Sequence, residues 1–187
     1  IVWKCFQICL DDKSYTAEMN TNDCFSEIKT KANELVSFLE FLIDLDLPWK
    51  EHFGFEAFPI ETYWIKKESA LREIDKIQPI KHLGLLKIPK KSFYNWHVDD
   101  FRQSCINLLV SKNHHSYSMF GKHKNNYYHN DIIELNYKPL TYYLFNNQEK
   151  HAVINLDDKD RYLFSLYFKE ETPYKTLREK LKNNLVK

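Results

Sequence analysis

The triplet His97-Val98-Asp99, followed far downstream by His151 and, ten residues later, by Arg161, combines the side chains of this sequence best suited to chemistry. Along an extended strand, side chains two apart share a face, so His97 and Asp99 are expected to point together while Val98 and Asp100 point oppositely. Two imidazoles and one carboxylate form the facial ligand set of non-haem Fe(II), which leaves adjacent coordination positions open for a chelating co-substrate and dioxygen. Arg161 adds a flat, two-pronged donor for a carboxylate. Only four of the 27 basic side chains are arginines, Arg72, Arg102, Arg161 and Arg178, so each place where Arg replaces Lys is informative.

Other polar residues join this set by position. Ser165 stands four residues after Arg161, hence on the same face of a strand, where its hydroxyl can add a hydrogen bond to a carboxylate held by Arg161. Asn107 interrupts the apolar run Ile106–Val110, and its amide either faces a cavity or is a satisfied core amide. Tyr142 and Tyr143 alternate across one strand, and Trp96 is expected to be core against a helix. A rival metal site for zinc or copper lies in His114, His115, His123 and His129. These lack a companion Cys or a regular helical spacing and read better as a solvated, charged loop that also holds Lys112, Lys122 and Lys124.

The elements that must position these groups follow from hydrophobic periodicity. Ile28, Ala32, Leu35, Val36, Leu39, Leu42 and Ile43 recur at three- and four-residue steps, predicting an amphipathic helix over Ser26–Leu47 that Pro48 ends. A second helix is predicted over Lys67–Ile77. After Pro79, eight strand-like runs follow at short intervals: Lys81–Ile88, Phe93–Asp99, Gln103–Val110, His115–Phe120, Asp131–Asn136, Thr141–Asn146, Lys150–Asn155 and Arg161–Phe168. Eight strands without intervening helices predict two packed sheets or a barrel rather than a βαβ fold. Thr172–Val186 reads as a last surface helix.

With strands and residues placed, the sequence resembles the Fe(II)- and 2-oxoglutarate-dependent oxygenases. In that family the His-x-Asp pair ends the second core strand, the distal His opens the seventh and a basic anchor opens the eighth. Here His97 and Asp99 fall in run two, His151 in run seven and Arg161 in run eight. The stretches Asn95-Trp96-His97-Val98-Asp99 and Phe145-Asn146-Asn147-Gln148-Glu149-Lys150-His151-Ala152-Val153-Ile154-Asn155 are similar to the ligand neighbourhoods of prolyl and aspartyl/asparaginyl hydroxylase-like members. The resemblance implies a mainly β fold with flanking α: a double-stranded β-helix, jelly-roll or cupin-like, over residues 80–169. A helical support region over 1–79 and a C-terminal helix over 170–187 would complete one oxygenase domain. It further implies His97, Asp99 and His151 as Fe(II) ligands, Arg161 as the anchor of 2-oxoglutarate with Ser165 and Asn107 as its neighbours, and hydroxylation of a peptidyl or free amino acid or other small substrate. The Arg-x-Ser spacing of many members is absent, since Leu163 stands two after Arg161.

Composition excludes other classes. With 187 residues, 12 Tyr, 13 Phe and 4 Trp, the chain can bury a core without staples. A net charge of +1 supplies no field toward polyanions, so nucleic acid is disfavoured as a partner. No run approaches the roughly 20 apolar residues of a membrane span. Cys5, Cys9, Cys24 and Cys105 show no zinc or redox spacing, which predicts reduced thiols and a cytoplasmic protein. Two rivals keep the barrel: a cupin-like metal enzyme without co-substrate, which has no need of Arg161, and a non-catalytic binding module, which tolerates loss of His151.

Overall fold

Alternating strands build most of the molecule in this computed structural model, which describes residues 20–32, 34–111, 115–123 and 130–185. In chain order the elements are α1 (Thr21–Cys24), β1 (Phe25–Lys31), α2 (Glu34–Ile43), β2 (Lys50–His52), β3 (Phe55–Ile60), α3 (Trp64–Lys67), α4 (Ser69–Ile77), β4 (Ile80–Ile88), β5 (Ser92–His97) and β6 (Ser104–Leu109). They continue with β7 (Ser116–His123), β8 (Asn130–Leu135), β9 (Thr141–Asn146), β10 (His151–Asn155), β11 (Arg161–Phe168) and α5 (Tyr174–Leu185). A seven-stranded sheet runs β1-β9-β6-β11-β4-β3-β2 and a four-stranded sheet runs β5-β10-β7-β8. Because β4, β6, β9 and β11 lie in one sheet and β5, β7, β8 and β10 in the other, the chain crosses repeatedly between them. This is the expected double-stranded β-helix, and all eight predicted runs are its strands.

The period of two decides which chemistry goes where. Ile106 and Leu108 of β6, Tyr142 and Leu144 of β9, and Phe164, Leu166 and Phe168 of β11 pack with Leu35 and Leu39 of α2, Leu71 and Ile74 of α4, and Leu177 and Leu181 of α5. The alternate residues face the smaller sheet: Cys105 and Tyr143 and Phe145 share a cluster with Phe120 of β7, while Ile88 packs with Val153 of β10. One sheet face is thus an apolar helix platform and the other, carrying Cys105, Asn107, Arg161 and Ser165, closes over the interior.

Three expectations are corrected. Phe25–Lys31 is not the start of a long helix but strand β1, registered Phe25 to Phe145 and Glu27 to Tyr143 on β9, and the helix begins only at Glu34. The three- and four-residue steps there fit both states, and pairing the otherwise open edge of β9 satisfies backbone groups that a helix would leave unpaired. Likewise β2 and β3, in the region read as helical support, extend the larger sheet beyond β4. Their two-residue turn places Phe53 (φ 47°) and Gly54 (φ 88°) in the left-handed region, as the tight hairpin requires. Trp96 does not pack on a helix: its indole lies over Gly121 of β7, on the outer side of the smaller sheet.

Candidate metal centre

His97 ends β5 and His151 opens β10, and the two are register partners on adjacent strands. The pairing then slips, with Val153 opposite Tyr94, so β5 carries one extra residue. This bulge breaks the alternation and brings Tyr94 and His97, three apart, onto one side with ring centres 4.3 Å apart. Asp99 lies beyond the strand's end, fixed by its N–H donating to the Asn147 carbonyl at 3.1 Å. Ligand atoms of His97, Asp99 and His151 all fall within 4.8 Å of one another, the one such trio among the described residues.

Hydrogen bonds choose the imidazole atoms that face this point. His97 Nδ1–H donates to the Asn95 carbonyl at 2.7 Å and His151 Nδ1–H to the Glu149 carbonyl at 2.9 Å, each to the residue two before it. A carbonyl only accepts, so both rings keep the proton on Nδ1 and offer the Nε2 lone pair, the tautomer a metal needs. The two Nε2 atoms stand 3.5 and 3.7 Å from Asp99 Oδ1. Asp99 Oδ2 is turned away and takes Arg102 Nη2 at 2.6 Å, Arg102 Nε at 2.8 Å and Asn147 Nδ2 at 2.8 Å.

The electrostatics suit a cation. Burial lowers the His151 pKa to about 4, so its lone pair is free at neutral pH. Burial also pulls His97 down, but its contact with Asp99 and the Asn95 carbonyl outweigh this and leave it raised. Burial pushes Asp99 up, yet His97, Arg102 and His151 together hold it below the ordinary carboxylate value, hence ionised. The centre opens into a cleft of about 770 Å³ whose walls include Phe53, Tyr94, Trp96, Phe101 and Arg102.

Arg161, the first residue of β11, is only 1% exposed. Its Nη1 and Nη2 donate to the hydroxyls of Ser116 and Ser118 on β7 at 2.6 and 2.8 Å, and the guanidinium lies over the Tyr137 ring. Its Nε and the Tyr137 hydroxyl are buried without hydrogen-bond partners. Nor does Arg161 form a surface ion pair with the nearby acidic residues in sequence: Asp160 accepts from Lys90 N–H and Asp157 from His115 N–H. Among the described residues no carboxylate pairs with this buried cation, and burial itself lowers its pKa.

Ser165 and Asn107 are direct register partners on β11 and β6 and both are buried. Cys105 lies beside them, its thiol donating to Asn107 Oδ1 at 3.5 Å. Both therefore reach the interior, although the guanidinium itself is held by serines of the opposite sheet. Of the histidine-rich rival site, His114 and His129 lie outside the described residues with Lys112 and Lys124, while His115 is exposed. Arg102, Tyr137, Asn147, Ser116 and Ser118 were not predicted as site residues. The signal available for Arg102 was its identity as one of four arginines, three residues after Asp99.

No protein-family model matches the sequence, and no curated protein matches it significantly. Solved structures share its fold. A prolyl hydroxylase from Trichoplax adhaerens, in complex with a peptide fragment of the hypoxia inducible factor oxygen degradation domain, superposes with a TM-score of 0.59 at 15% identity, covering 86% of this chain and 87% of that one. A prolyl-4-hydroxylase from Pseudomonas putida gives 0.56 at 13%, covering 78% and 92%. A 2OG-Fe(II) oxygenase family protein from Burkholderia pseudomallei gives 0.54 at 12%, covering 74% and 80%. The chain thus has the fold of 2-oxoglutarate and Fe(II) oxygenases and carries a His-Asp-His cluster.

Proposed function

We propose that the protein is an Fe(II)- and 2-oxoglutarate-dependent oxygenase that hydroxylates a C–H bond of a peptidyl or free amino acid or other small substrate. The observation that carries this reading is Arg161. A guanidinium withdrawn from water, with only two serine hydroxyls and an aromatic face around it and its Nε–H without a partner, is costly unless an anion joins it. Ser118 and Phe120 alternate along β7 onto the face that meets His151, so the serine that holds Arg161 and the metal centre share one face of the smaller sheet. A short dicarboxylate fits that demand: one end for Arg161, the other for the metal.

In this reading His97 Nε2, Asp99 Oδ1 and His151 Nε2 would hold Fe(II). Arg161 grips the far carboxylate of 2-oxoglutarate, with the Tyr137 hydroxyl placed to donate to it. When bound, iron and 2-oxoglutarate supply the oxidising power, the co-substrate leaving as succinate and carbon dioxide with dioxygen consumed. The protein orients the ligands, keeps the inner end dry through Phe120 and Phe145, and admits substrate through the cleft beside Tyr94. A cupin-like enzyme without co-substrate leaves the buried Arg161 unexplained.

The test is oxygen consumption by Fe(II)-loaded protein with 2-oxoglutarate and a panel of amino acids and peptides. Succinate release equal to oxygen uptake is expected. Oxygen uptake that proceeds without 2-oxoglutarate refutes the reading.

A further inference from the structure

Asp99 is an unusual ligand because its two oxygens have separate employers. Oδ1 faces both imidazoles, whereas Oδ2 is saturated by three N–H donors, two of them from one guanidinium. Arg102 is itself anchored: the Gln148 side chain donates to the Arg102 carbonyl at 2.9 Å and to the Asp99 carbonyl at 3.0 Å, tying the segment between them to the turn that precedes β10. With neutral imidazoles, the charges of Asp99 and Arg102 cancel. A dication held here meets a ligand set whose single negative charge is offset by a fixed positive charge in direct contact with it.

Resting on the oxygenase reading above, we propose that Arg102 makes metal retention conditional on the co-substrate: it weakens the site for the metal alone and strengthens the call of the loaded site for a dianion. The physical basis is Coulombic. A fixed cation within hydrogen-bond reach of a ligand carboxylate opposes a second cation on that carboxylate, and the same cation favours a dicarboxylate that arrives with two negative charges. By linkage, whatever factor the dianion adds to metal affinity, the metal adds to dianion affinity. Arg102 is in this sense a positioning residue with a charge function, acting on the metal through Asp99.

The experiment is calorimetric titration of Mn(II), under conditions free of turnover, into wild type, Arg102→Gln and Arg102→Lys, with and without saturating 2-oxoglutarate. Arg102→Gln should bind Mn(II) alone about tenfold or more tighter than wild type and, once loaded, take up 2-oxoglutarate more weakly, while Arg102→Lys, which keeps the charge, should lie nearer wild type. If both variants bind Mn(II) more weakly, Arg102 serves only to orient Asp99 and the proposal is overturned; unchanged affinities overturn it as well. If 2-oxoglutarate fails to tighten Mn(II) on wild type while Arg102→Gln still tightens the metal alone, the co-substrate reading falls, and conditional retention with it, but the charge effect of Arg102 is established separately.

Discussion

The guanidinium carbon of Arg161 sits 5.6 Å from the centre of the Tyr137 ring, a cation held over an aromatic face deep between the sheets. Arg161→Lys keeps the charge but loses the two-pronged geometry. It should raise the apparent KM for 2-oxoglutarate by roughly ten- to a hundredfold and that for the prime substrate far less. Tyr137→Phe should raise the former by a smaller factor, roughly up to tenfold, by deleting the unpartnered hydroxyl. Steady-state kinetics with each substrate varied in turn decides this; equal changes in both constants would assign Arg161 to folding rather than to the co-substrate.

Asp99 and Asp100 are neighbours with different fates, one tied into the centre and the other exposed. Asp99→Ala should remove 2-oxoglutarate-dependent turnover, whereas Asp100→Ala should leave it within about twofold of wild type and stability within about 0.5 kcal/mol. Succinate assays and urea unfolding of both variants check the pair, and comparable losses at the two positions would count against the geometry of Asp99.

His151 couples stability to pH in the metal-free protein. Its folded-state pKa is about 4 against an ordinary value near 6.5, so the unfolded chain binds the proton first as the solution is acidified. The stability held above pH 6.5 is therefore lost progressively between about pH 6.5 and 4, by up to about 3 kcal/mol. The raised His97 acts in the opposite sense, so the comparison is with His151→Asn, measured by denaturant unfolding in chelator. The variant should gain on wild type across this window, and a constant difference would show that His151 is not held neutral.

Much of this architecture was legible because the eight strands from Ile80 to Phe168 are short, largely apolar runs bounded by polar turns. His97, His151 and Arg161 were findable because each marks a strand end. β1 was not, since Ile28 and its neighbours satisfy helical and extended spacing alike and only the open edge of β9 decides between them. The bulge in β5 has no local signature, so simple alternation hides the contact of Tyr94 with His97. Arg102, Asn147 and Tyr137 matter through partners that only the folded chain brings near.

The contact of Trp96 with β7 carries a packing prediction. A Cβ at Gly121 would stand 2.9 Å from Trp96 Cζ3 and 3.0 Å from Cη2, inside van der Waals contact. Gly121→Ala should cost about 1 kcal/mol in urea unfolding, and markedly less in a Trp96→Leu background where the indole is gone. Additive losses in the double variant would show that the two residues do not meet.

The most direct measurement of the central claim is an anaerobic titration of the metal-free protein with Fe(II) and 2-oxoglutarate, followed by visible absorption. A charge-transfer band that needs both additions, saturates at one of each per chain and is lost in Asp99→Ala and weakened in Arg161→Lys is the predicted result. Fe(II) binding with no band and no uptake of 2-oxoglutarate at any concentration would contradict it.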